Sequence, residues 1–222
     1  MDVQPAPDLP RWAGITEPMT VLTNVVLAAV AFVLTVRLGY QASAEGLKAA
    51  GALAGGFMAT ALAAVLGAAA HGMDPLVDPA LRQRLWRGSL HTTGFIGVAT
   101  VMSVAFFAAR GSVRTAMLAF AGLKLLWFTV AIARRPEFRV AAADYGGALA
   151  ILLVGAVYAW VRWSEPAMAW LIGGAVVTLV GGILQARRVG LHRHFNHNDL
   201  FHVVQMVALY MFYRGGALLV DR

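Results

Sequence analysis

Seven apolar stretches, each long enough to cross a bilayer, divide this chain of 222 residues. A helix needs roughly 20 residues to cross the hydrocarbon core, because each residue advances it by about 1.5 Å. The stretches run near 19–38, 49–71, 88–109, 114–134, 140–161, 166–186 and 199–220. Charged and turn-forming residues separate them: Arg37 to Lys48, Asp74 to Arg87, Arg110-Gly111, Arg134-Arg135-Pro136, Arg162 to Pro166, and Arg187 to Asn198. Within hydrocarbon a segment must satisfy its own backbone N–H and C=O groups, which favours helix. The expected fold is all-α: one integral membrane bundle of seven transmembrane helices, with residues 1–222 as a single domain. Arg214 interrupts the last stretch and is expected to snorkel toward the interface. The second stretch, AAGALAGGFMATALAAVLGAAAH, is nearly all small residues and suits close packing between helices.

Charge supports the same class. Charged residues make up 13% of the chain and hydrophobic ones 59%, whereas a soluble domain carries about a quarter charged residues. The absence of cysteine excludes disulfides, thiolate zinc sites and iron–sulfur clusters. The net charge is +7, with 16 Arg against 2 Lys. In a membrane chain such an excess sets topology and does not point to nucleic acid. The N-terminal side of the seven crossings receives ten basic residues and the other side seven, which favours a cytoplasmic N-terminus with the C-terminus opposite. The weight of Ala, Gly, Val and Arg suggests a GC-rich bacterial source, hence an inner membrane. The N-terminal MDVQPAPDLPRW lacks the basic region of a cleaved signal peptide, so the first stretch is expected to be retained.

The same threading brings all six histidines to the N-terminal side: His71, His91, His192, His194, His197 and His202. Glu17, Asn24, Asp74, Asp144 and Asp199 fall there too. Polar groups at membrane depth are costly, which makes each a functional candidate. Asn24 and Gln205 are expected to hydrogen bond between helices, and His192 and His194 to face water. Lys124 stands alone in the middle of the fourth stretch, and Asp144 on the neighbouring antiparallel helix is its expected partner. Zinc takes neutral imidazoles and carboxylates. His71 ends the second helix and His202 begins the seventh, so an ion between them requires those helices to pack together. A third ligand would come from His197, Asn198 or Asp199; Asn198 and Asp199 stand four and three residues before His202, on one helix face with it. Asp74 or His91 would carry the proton when a metal-bound water attacks a carbonyl.

At these residues the chain resembles the alkaline ceramidase and adiponectin/progestin-receptor superfamily of seven-helix membrane hydrolases. EPMTVLTN, from Glu17 to Asn24, looks like the Glu…Asn stretch of the ceramidase branch. GAAAH, from Gly67 to His71, keeps the His of a Ser-x-x-x-His motif and has Gly in place of Ser. NDLFH, from Asn198 to His202, keeps the second His of a His-x-x-x-His motif and has Asn in place of the first. The resemblance implies zinc held by His71 and His202, hydrolysis of a lipid amide or ester, and a membrane lipid as substrate or ligand. It also implies a calcium site at Glu17, with Asp8 and Trp12 as further ligands. Two other functions fit the same residues. One is a non-enzymatic member of the fold: lipid-binding, receptor-like or an accessory subunit. The other is a proton-coupled transporter relaying through Asp144, Lys124 and the histidines.

Overall fold

The computed structural model describes residues 11, 12, 14–73 and 78–222, with nothing of the side chains of residues 11 and 12. Two strands of two residues each, β1 (Arg11–Trp12) and β2 (Ile15–Thr16), pair antiparallel ahead of the helices. Seven helices follow: α1 (Pro18–Glu45), α2 (Lys48–Gly72), α3 (Pro79–Ala108), α4 (Gly111–Arg134), α5 (Phe138–Trp163), α6 (Ala167–Ala186) and α7 (His197–Gly216). The first six are long and apolar enough to cross a membrane. α7 is 20 residues long, but its polar first turns and Arg214 set it apart. Arg214 lays its guanidinium over the Trp170 ring at 4.8 Å and donates to Tyr210 Oη at 3.2 Å.

Six helices close into a ring. α1 packs on α2, α2 on α3, α3 on α5, α5 on α6, α6 on α7, and α7 returns to α1. α7 touches α2 only lightly, so α1 stands between the two helices expected to share an ion. α4 lies outside the ring. It is seated on α3 and barely meets α5, which leaves an open groove between α4 and α5. Small residues on α2 let its neighbours approach: Ala49, Ala50, Ala54, Ala61 and Ala64 are all buried in the main core with Leu38, Leu53, Phe57 and Phe212. Large apolar side chains such as Val25, Phe32, Val36, Leu126, Val154 and Val161 face outward. Hydrocarbon would solvate these positions; water would not.

Helix boundaries follow local chemistry. Asp78 accepts the Leu81 N–H at 2.8 Å, and Pro79 opens α3 without a wasted donor. α3 therefore begins nine residues before the apolar stretch at 88, as an arginine-bearing extension. α2 has no cap of its own. The Asp221 carboxylate, brought back by α7, accepts the Lys48 and Ala49 N–H groups, each at 2.8 Å, where the positive end of the helix favours an anion. Next to it Arg222 donates its backbone N–H to the Phe106 carbonyl at 2.9 Å, pairs with Glu165, and lies 4.6 Å from the Trp163 ring. The C-terminal residues thus tie α2, α3 and the α5–α6 turn together. Asp221→Ala removes two charge-assisted bonds at a helix start, and should lower Tm in detergent by about 2–4 °C. An unchanged Tm would show that the cap does not contribute.

Candidate functional site

The histidine face is assembled where α1, α2 and α7 end on one side of the ring. Glu17 precedes α1 with φ 48° and ψ 55°, a left-handed conformation that costs a non-glycine residue about 1 kcal/mol or more. That backbone brings Glu17 Oε2 to 3.1 Å from His71 Nδ1 at the end of α2. The two side chains are 11% and 18% exposed. Thr16 Oγ1 donates toward the carbonyls of His71 at 2.5 Å and Met73 at 3.0 Å, and Arg82 Nε caps Ala70 O at 3.0 Å. Trp86 stands edge-on to the imidazole of His71.

A second imidazole is held the same way. His202 Nδ1 lies 2.9 Å from Thr23 Oγ1 on α1. Thr23 has one proton, and its other neighbours, Thr20 O at 3.2 Å and Asp199 Oδ1 at 3.3 Å, only accept. When that proton goes to Thr20 or Asp199, Nδ1–H of His202 donates to Thr23, as Nδ1–H of His71 can to Glu17, and a neutral ring in that tautomer keeps its lone pair on Nε2. His197 opens α7 close by, and its charge acts on Glu17 together with those of His71 and Arg82.

These groups do not complete a zinc site among the described residues. Zinc needs three or four donors in tetrahedral array, and no cluster of three or more His, Asp or Glu has that arrangement. The reason is visible in the hydrogen bonds. Asp199, expected as a ligand, is fully buried; its Oδ2 accepts the Asn196 N–H at 2.8 Å and its Oδ1 faces Thr23. It closes a capping box with Asn196 at the start of α7. Asn198 Oδ1 accepts from Gln185 Nε2 of α6 at 2.7 Å. Where the resembled motif has Ser, Gly67 packs closely on α1: a Cβ there would stand 3.3 Å from Asn24 Oδ1, so that Asn24 would have to give way. The cavity bounded by Glu17, Met19, Thr20, Arg193, His194 and Asn196 holds about 30 Å3, room for water and not for a lipid chain.

The other candidates are dispersed. Asp74, expected as a proton carrier, lies outside the described residues, as do Asp8 and the side chain of Trp12, the expected calcium ligands beside Glu17. His91 is half-buried on α3 and joins none of the bonds above. His192 and His194 are exposed in the α6–α7 loop, where Arg193 Nε donates to His194 Nε2 at 2.8 Å. Among the described residues, the Asn24 amide donates to Thr20 O of its own helix at 3.0 Å, not across helices. The buried amide nitrogen of Gln205 meets no acceptor among the described residues.

A separate polar site lies between α4 and α5. Lys124 Nζ donates to Asp144 Oδ2 at 2.6 Å, with the side chains 9% and 2% exposed. Gly97 of α3 makes room for it: a Cβ there would stand 2.5 Å from Nζ and 3.0 Å from Oδ2. The pair sits roughly 10–15 Å below the Arg134 end of α4. Sequence spacing indicated this pair; the glycine seat beneath it had no readable signal.

Glu17 is pushed up by burial, but the hydrogen bond and charge of His71, aided by Arg82 and His197, outweigh this and hold it below its usual 4.5. A lowered carboxylate stabilises the fold fully above its unfolded value and loses that contribution as pH falls through the folded value. Glu17→Gln should therefore cost about 1 kcal/mol at pH 7, with wild type and variant converging below pH 4.5. A pH-independent difference would mean that the ionised form does not matter. Lys124→Met should destabilise by about 3 kcal/mol by leaving Asp144 uncompensated, and adding Asp144→Asn should recover most of it. A double variant no better than the single would show that the two are not coupled.

Comparison with known proteins places the chain without assigning an activity. No curated protein and no solved structure matches it. Residues 19–221, the whole helical ring and α4, match a family described as a family of unknown function, DUF6962. The chain belongs to that family.

Proposed function

We propose that the protein is a non-enzymatic seven-span membrane protein that binds an apolar ligand of the bilayer, with a cytoplasmic N-terminus in a bacterial inner membrane. One observation carries the non-enzymatic reading: the groups at the histidine face are engaged with one another, Glu17 with His71, Thr23 with His202, Asp199 with Asn196, and Asn198 with Gln185. A hydrolytic centre needs an open ligand position and a substrate cavity, whereas this face holds helix ends in place. α7 counts as the seventh crossing because it completes the ring between α6 and α1, with Val203, Val207 and Tyr210 turned outward. The excess of arginine in the turns on the N-terminal side supports the orientation.

A second reading, a zinc-dependent hydrolase of a lipid amide or ester, is favoured by the orientation of the imidazoles. Both have Nδ1 anchored on an oxygen and Nε2 left over, as metal-binding histidines do. Elemental analysis separates the two. Freshly purified wild type, His71→Ala and His202→Ala should show the same sub-stoichiometric zinc. About one zinc per chain in wild type, lost in both variants, would overturn the non-enzymatic reading.

A further inference from the structure

The groove left by α4 beside Lys124 and Asp144 has a volume of about 400 Å3, within the range of small-molecule sites. Its two walls differ. On α4, Phe120, Lys124 and Trp127 follow one another at helical spacing along one face, and Trp127 is 63% exposed. On α5, Ala143 and Gly147 offer small residues with Asp144 between them, and Ile151 continues the wall one turn further on. A slot with aromatic side chains on one wall and almost none on the other admits a flat ring.

The floor of the slot is polar. Of the three hydrogens of the Lys124 ammonium, the Asp144 carboxylate takes one among the described residues. The remaining donors lie at hydrocarbon depth, where an unmet donor is costly. Asp144 balances the charge, so the pair favours a neutral acceptor over an anion. The pair also lies about two to three helical turns below the Arg134 end of α4, beyond the reach of a lipid phosphate.

We infer that the groove between α4 and α5 binds the carbonyl-bearing ring of a neutral, membrane-dissolved molecule of the quinone class. A ring carbonyl accepts from Lys124 Nζ, Phe120 and Trp127 cover one ring face, Gly147 lets the other lie against α5, and the apolar tail runs out into the bilayer. The inference rests on the ligand-binding half of the function proposed above, and names its site and chemistry.

Gly147 provides the test, because no heavy atom lies within 4 Å of a Cβ built there. A larger side chain enters the groove without disturbing the backbone and favours the helix. Decylubiquinone titrated into the full chain in phosphatidylcholine nanodiscs should quench tryptophan fluorescence saturably. Gly147→Ala should behave as wild type, Gly147→Leu should weaken the apparent affinity by about tenfold, and Trp127→Phe should remove the saturable part. Quenching that rises linearly and equally in all four proteins is partitioning into lipid, and would overturn the inference. Phosphatidylcholine brominated at mid-chain supplies a second probe. Quenching of Trp127 by it that decylubiquinone does not relieve would assign the groove to an acyl chain, sinking the inference while leaving the broader ligand-binding function standing. A dimer of the chain that Gly147→Leu abolishes would assign the groove to a second copy and overturn both.

Discussion

The helix ring closes on one carboxylate. Asp199 is fully buried, and its two oxygens answer two different needs. One accepts the Asn196 N–H and fixes the start of α7; the other faces Thr23 and so ties α7 to α1. The first turn of α7 carries backbone N–H groups with no partner inside the helix, and the positive end of the helix dipole sits there as well. A buried anion at that place satisfies both. Thr23, held by Asp199, in turn orients His202. The first and last helices therefore meet through a set of bonds in which each member determines the position of the next, and breaking one leaves a buried polar group unmet.

The two polar sites of this molecule are built on opposite principles. The histidine face is closed: acceptors and donors pair across three helix ends, and the space beside them holds little more than water. The Lys124–Asp144 site is open, because α4 stands outside the ring and barely meets α5. There the ion pair takes over a task that packing performs elsewhere, linking two helices across a gap. Gly97 allows it by letting the ammonium lie against the α3 backbone. A larger residue at Gly97 would push the lysine toward lipid, where its unmet donors would be most expensive.

Much of this architecture was legible in the chain. All seven helices fall where the apolar stretches lie, and six of them are long and apolar enough to cross a membrane, where backbone groups must be satisfied within the helix. The start of α3 was not legible by that criterion, since Pro79 to Arg87 is too polar to count as a span yet is helical, with Asp78 as its cap. The Lys124–Asp144 pair could be read because isolated charges on neighbouring spans have few other partners. The fate of Asp199 was misread. Asn196 followed three residues later by Asp199 is a capping signature as much as a ligand spacing, and a helix start offers the carboxylate two partners before any metal does. Where the Asn24 and Gln205 amide nitrogens turn could not be read, because the direction of a side chain within a bundle depends on helix rotation, which spacing alone does not fix.

The chemistry of the histidine face turns on what its neighbours already hold. His71 and His202 each have Nδ1 anchored on an oxygen of α1 or the residue before it, an arrangement suited to a metal if further donors converged. Asp199 and Asn198 cannot supply them without abandoning the cap of α7 and the bond to Gln185 of α6. Releasing Asp199 would leave the Asn196 N–H without its acceptor and the Thr23 hydroxyl with only the Thr20 carbonyl of its own helix. Binding energy would first have to offset that loss. The α4–α5 groove carries no such debt, because nothing structural depends on the unmatched hydrogens of Lys124. A ligand that accepts one of them adds a bond and breaks none.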